Sequence, residues 1–230
     1  MNQFIEKRNC IECDRSSDCF TQKIDFVDKF AEQQKVQISY RKGETIIKEG
    51  TYVSSVFYVL DGIVKVYLES PSKNVIVKLL KSNDFLGLTS LYGDHTYHYS
   101  AAALTNTIIC SIEVDAIRNL LSESNIFTHE IVSWYCKNYN LMFTKCFDQG
   151  LKQLHGKLAS TLLYLNGEEF KSEDIYACLS RKDLAELSGM AVESLVRILA
   201  EFSDDKIIEP KGKGFKILNM GLLQKISRSG

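Results

Sequence analysis

Between Ser180 and Phe202 the chain carries two short helical patterns separated by Gly189, and this stretch limits the fold more than any other. Ser180 followed at the third position by Asp183 matches a capping box, with the acid also favoured by the helix dipole in the first turn. Leu184, Ala185 and Leu187 give the first helix its apolar side, and Gly189 stands where a left-handed residue ends a helix and turns the chain. In the second helix Leu195, Ile198, Leu199 and Phe202 fall at i, i+3, i+4 and i+7, one buried stripe. Two helices joined in this way have the outline of a helix-turn-helix.

The face opposite that stripe carries Glu193 and Arg197, one turn apart, with Val192, Ser194 and Val196 beside them. A carboxylate accepts from the cytosine amino group and a guanidinium bonds bidentately to guanine, so this pair suits the reading of base edges in a major groove. The same spacing also fits a plain exposed ion pair. After Phe202, the run from Lys206 to Leu218 reads as two short strands around a Lys-Gly-Lys-Gly turn, a wing. Lys211, Lys213 and Lys216 on the wing, and Arg181 at the start of the first helix, are then candidate phosphate contacts, which fix register without carrying sequence information.

Net charge adds no general attraction to nucleic acid: the whole chain is at -1, and from residue 151 onward 12 Lys/Arg stand against 11 Asp/Glu, or +1. DNA binding must rest on local placement. With 230 residues, 45% of them apolar, the chain can bury a sizeable core in two domains. No apolar run is long enough to span a bilayer, and the first residues lack a signal-peptide core, so a cytoplasmic location without membrane contact is expected. No nucleophile and base pair or Gly-rich phosphate loop suggests an enzyme.

Three of the seven cysteines, Cys10, Cys13 and Cys19, fall within ten residues of polar sequence. Such a segment has too little apolar company to bury them as core. Closely spaced thiolates suit an iron-sulfur cluster or zinc, each of which wants four ligands, or a redox-active thiol set. Spacing alone leaves these open. Cys136, Cys146 and Cys178 lie in helical or apolar contexts and read as structural.

From Val36 to Ile112 the periodicity is two, with strands at Val56–Leu60, Ile63–Leu68, Val75–Leu80 and Thr107–Ile112 separated by turns at Gly43, Gly50, Gly62 and Asn83. Many short strands at this spacing indicate a jelly roll or a β-barrel. His95 and His98 in a polar loop read as solvated rather than as ligands. Residues 115–148 read as one helix with almost no polar face, which requires cover on two sides. Val132, Tyr135, Tyr139, Met142 and Cys146 follow steps of three and four, the spacing of a coiled-coil seam with a second copy. Leu158, Leu162, Leu163 and Leu165 begin the next helix.

This order, and above all the run Val192-Glu193-Ser194-Leu195-Val196-Arg197-Ile198-Leu199, resembles the cyclic-AMP receptor protein and fumarate-nitrate reduction regulator (CRP/FNR) family of transcription factors over nearly the whole chain. The resemblance implies an α+β fold: a cysteine-rich arm over residues 1–34, a cyclic-nucleotide-binding-like β-roll over 35–114, a dimerisation helix over 115–150 and a winged helix-turn-helix over 151–230. It also implies a homodimer that reads an inverted repeat of TGA-like half-sites with Glu193 and Arg197 and works with RNA polymerase. Val196 stands where the fumarate-nitrate branch has Ser.

The cyclic-nucleotide branch needs Gly-Glu and Arg-Ser pairs for ribose and phosphate, and here Leu88 and Tyr99 replace the Glu and the Arg. The resemblance therefore argues against cyclic AMP, and no nucleotide-binding residue is assigned. The fumarate-nitrate branch has C-x2-C-x5-C plus one cysteine on a late strand, and Cys10, Cys13, Cys19 and Cys110 are similar. This implies an oxygen-labile [4Fe-4S] cluster. Oxygen-responsive relatives carry an acidic residue in the middle of the dimer helix, whereas residues 138–143 have none, so a neutral seam of this kind could stay dimeric without the cluster.

Overall fold

Alternating apolar and polar residues put one face of a strand inward, as along Val64–Leu68, where Val64 and Val66 are buried. The computed structural model describes residues 3–5, 10, 13, 19–23, 35–170, 175–212 and 214–230. The strands are β1 (Gln3–Ile5), β2 (Lys35–Tyr40), β3 (Thr45–Ile47), β4 (Ser55–Asp61), β5 (Val64–Leu68), β6 (Val75–Leu80), β7 (Phe85–Leu86), β8 (Ser100–Ala103) and β9 (Thr107–Glu113). They form a sandwich of two sheets, ordered β1-β2-β9-β4-β7 and β3-β8-β5-β6. Val56, Val59, Ile63, Ala101, Ile109 and Ile112 are buried between them. Gly62, with φ at +90°, makes the β4–β5 turn, and a Cβ there would fall 2.5 Å from the Asn106 carbonyl oxygen, so no other residue fits.

The helix expected over 115–148 is in fact two, α1 (Val114–Glu123) and α2 (Asn125–Leu151). Ser124 divides them, with φ -110° and ψ 106°. Its amide still closes α1 on the Leu120 carbonyl, and its hydroxyl accepts from the Phe127 amide at 3.2 Å. A serine hydroxyl competes in this way with the helical ladder and starts a new helix. Along the 27 residues of α2 only Phe127 and Ile131 are buried, while Val132, Tyr135, Tyr139, Met142, Phe143 and Phe147 are exposed on this chain. Cys136 and Cys146 are exposed too, not buried as a structural role requires.

The chain forms two compact units, Met1–Glu69 with Lys78–Tyr139, and Ser70–Val77 with Asn140–Gly230. The second contains α3 (Leu154–Leu165), α4 (Ile175–Cys178), α5 (Arg181–Ser188), α6 (Val192–Asp204), a hairpin of β10 (Ile208–Lys211) and β11 (Gly214–Ile217), and α7 (Met220–Ser229). Leu158, Leu162, Leu195, Ile198, Phe202 and Leu223 form its core. No helix among the described residues is long and apolar enough to cross a membrane.

Candidate functional site

Strand register builds the first site. β2 pairs antiparallel with β9, and β9 with β4, so that Gln37 lies opposite Cys110 and Cys110 opposite Tyr58. Lys35, two residues before Gln37, shares its face. Cys10, Cys13 and Cys19 come to this same place, and with Cys110 the four sulfurs line one cavity together with Lys35 and Gln37. The fold thus brings the three clustered thiols together with Cys110, the fourth that the resemblance implied, across about a hundred residues of chain. All are free thiols.

The cavity has donors as well as sulfurs. Lys35 Nζ donates to Cys10 Sγ at 3.1 Å and Gln37 Nε2 to Cys13 Sγ at 3.3 Å. Neither residue was found from sequence, and the only signal was their i, i+2 spacing on one strand. Burial pushes the Cys110 thiol up to about 12, the nearby Cys10 and Cys19 adding to it. Burial also raises Cys19, against a hydrogen bond with Thr21, and lowers Lys35, against its hydrogen bond with Cys10. Among the described residues no group of three or more His, Cys, Asp or Glu side chains is arranged to hold a single metal ion. His95 and His98 are both exposed, His98 paired with Asp94 at 3.0 Å.

Inside the roll, the Gly87 amide donates to the Tyr99 hydroxyl at 2.9 Å, and Leu88 is 2% exposed. Ser100 is fully buried, its hydroxyl donating to Glu69 at 2.6 Å and accepting from the Glu49 amide at 3.0 Å. The Tyr99 phenol and the Ser100 hydroxyl are thus both engaged by partners within the roll.

The second site is on α5, α6 and the hairpin. Ser180 and Asp183 exchange both capping-box hydrogen bonds, each 3.0 Å, and Gly189 ends α5 with φ at 70°. Leu195, Ile198, Leu199 and Phe202 bury one side of α6. The other side presents Val192, Glu193, Val196 and Arg197 to solvent, with Ser194 half-buried beside them. Arg197 pairs with Glu201 at 3.1 Å rather than with Glu193, and Glu201 in turn meets His155 of α3 at 2.6 Å. That hydrogen bond from His155, ahead of the Arg197 charge, holds the Glu201 carboxyl below its ordinary value. Arg181 is exposed and its guanidinium lies 5.9 Å from the centre of the Phe215 ring. Lys211 and Lys216 are exposed on the hairpin, and Lys213 lies outside the described residues.

Comparison with known proteins agrees with this division. The model of the cyclic nucleotide-binding domain matches residues 37–124, and that of the Crp-like helix-turn-helix domain matches residues 156–226. The Fumarate and nitrate reduction regulatory protein of Vibrio cholerae is 23% identical, over 95% of this chain and 90% of that protein. The CRP-like cAMP-activated global transcriptional regulator of Mycobacterium tuberculosis is 20% identical, over 85% and 90%. FixK2 from Bradyrhizobium japonicum shares the fold with a TM-score of 0.74 at 17% identity, over 85% of this chain and 98% of that one. A roll of the cyclic-nucleotide-binding type followed by a Crp-like helix-turn-helix defines a DNA-binding transcription regulator, not an enzyme. The chain belongs to the CRP/FNR family.

Proposed function

We propose that this regulator is a homodimer whose DNA binding is controlled by an oxygen-sensitive [4Fe-4S] cluster held by Cys10, Cys13, Cys19 and Cys110. The observation that carries the reading is the convergence of these four thiols on one cavity of the roll. Four cysteine thiolates are the usual ligands of such a cluster. Zinc draws four ligands to about 2.3 Å from one point, whereas a cluster spreads its thiolates over four irons, which suits sulfurs arranged around a cavity. When bound, the cluster supplies a redox-labile group whose loss alters how the amino-terminal segment is tied to β9. Relatives named for fumarate and nitrate reduction support the same reading.

Glu193 and Arg197 read bases of TGA-like half-sites in an inverted repeat, with Val192, Ser194 and Val196 lining the groove. Val196, 50% exposed, offers an apolar surface to a thymine methyl group. Arg181, Lys211 and Lys213 hold phosphates, and two-fold symmetry of the dimer sets the half-site spacing. The second copy covers the exposed apolar face of α2, where Tyr139 is 66% and Phe147 56% exposed. That face has no acid to drive the subunits apart, so the signal passes by reorientation of the DNA-binding units within a standing dimer. Activation or repression proceeds through RNA polymerase in the cytoplasm.

The test is purification under strict anaerobiosis with visible absorbance, iron and sulfide assays, repeated after air. About four irons per chain in a brown protein that bleaches in air is expected. A colourless protein without metal removes the cluster and leaves the DNA-binding reading standing, and one zinc per chain makes the site structural.

A further inference from the structure

We propose that Lys35 is the positioning residue that sets the charge, and with it the reduction potential and air stability, of the cysteine site, with Gln37 as a second donor. This rests on the cluster reading. Lys35 is 5% exposed, a burial that lysine rarely reaches without an anionic partner. Its ammonium faces sulfur, with Cys10 Sγ at 3.1 Å. Among the described lining residues of the cavity it alone carries a formal positive charge, the rest being thiols, hydroxyls, an amide and apolar groups.

Its place on the sheet is set by strand register. β2 is an interior strand, paired on one side with β1 through Gln3–Ile5 and on the other with β9 through Lys35–Tyr40. Lys35 opposite Ile112 and Gln37 opposite Cys110 are thus fixed by the same register that places the fourth thiol. The register sets the Lys35 backbone on the strand face it shares with Gln37, and from there its buried side chain reaches Cys10 Sγ.

The chemistry follows from charge. Four thiolates on a [4Fe-4S] core of charge +2 leave the site at about -2, a cost in a buried setting that one fixed cation reduces. A cation and an amide donor against the sulfurs favour the more electron-rich state, so both raise the reduction potential, the levers being net charge and hydrogen bonds to sulfur. They also make the site harder to oxidise, so Lys35 sets how readily oxygen destroys the bound group.

The experiment uses full-length wild type, Lys35→Met, Lys35→Arg and Gln37→Leu, each reconstituted anaerobically with ferrous iron and sulfide. Iron content, the reduction potential from a dye-mediated titration and the rate of bleaching in air are measured. Lys35→Met is expected to have a lower potential than wild type and to bleach about tenfold faster, in the range usual for loss of an outer-shell partner. Lys35→Arg, which keeps the charge and the donor, should restore both, and Gln37→Leu should shift both in the Met direction by less. Loss of iron from Lys35→Met with retention in Lys35→Arg also supports the charge role. Lys35→Met with the potential and bleaching rate of wild type overturns it, as does loss of iron from both Lys35 variants, which marks a packing position. Wild type that takes up no iron and sulfide refutes the cluster reading itself, before any variant is compared, and the Lys35 role with it.

Discussion

Replacing Arg197 by Ala separates DNA reading from folding, because the structure places this side chain away from everything that stabilises α6. The guanidinium is 61% exposed, on the side opposite the buried Leu195, Ile198 and Phe202. Its ion-pair partner, Glu201, is itself partly exposed and keeps His155 when the arginine is gone. Exposed pairs of this kind add little to stability, so the melting temperature should not change. If Arg197 bonds a guanine edge, the substitution removes about 1–3 kcal/mol of discrimination at that base pair, about 5- to 150-fold in affinity ratio. Fluorescence anisotropy of the cluster-loaded protein on an inverted repeat and on a scrambled duplex measures the ratio. Salt must be fixed, since phosphate contacts make both affinities depend on it. Equal weakening on the two duplexes would refute the argument and make Arg197 a phosphate contact.

Cys110→Ser should lose iron yet keep its secondary structure, because β9 is paired through its backbone on both sides; unchanged iron content removes Cys110 as a ligand. Ser180→Ala breaks the capping box of α5 and should cost about 0.5–2 kcal/mol, a fall of a few degrees in melting temperature for a chain of this size; no change in calorimetry contradicts it. The protein without its cluster should sediment as a dimer, and a monomer in analytical ultracentrifugation would refute the neutral-seam argument. Burial holds the Tyr97 phenol up to about 12, against about 10 in an unfolded chain. Its stabilisation is complete below pH of about 10 and is lost as pH rises toward 12, because the unfolded chain releases that proton first. Denaturant titrations should therefore show wild type losing stability relative to Tyr97→Phe across that interval, and parallel curves would contradict it.

The parts legible in the sequence were those fixed by local chemistry. Ser180, Asp183 and Gly189 act within one turn, and the apolar stripe of α6 follows from helical spacing alone, so the helix-turn-helix could be read directly. The strands around Val56–Leu60 and Thr107–Ile112 likewise follow from alternation. The break at Ser124 was hidden because apolar residues continue on both sides, and only the hydroxyl bond to Phe127 shows where one helix ends. The surroundings of the thiols were not legible at all. Lys35 reaches Cys10 across 25 residues, a long-range contact that no motif announces. Arg197 likewise pairs with Glu201 and not with Glu193, although both lie four residues away, and Glu201 also meets His155 of α3, which sequence spacing does not show.

If a group bound by Cys10, Cys13, Cys19 and Cys110 governs DNA binding by Glu193 and Arg197, specific affinity must follow the presence of that group. The most direct test is the affinity of one preparation for an inverted-repeat duplex, measured anaerobically with the cluster intact and again after air has removed it, at the same salt. Specific binding should fall to the level of a scrambled duplex once the cluster is gone, while the protein remains dimeric. Equal specific affinity before and after would contradict it and leave a DNA-binding protein whose control lies elsewhere.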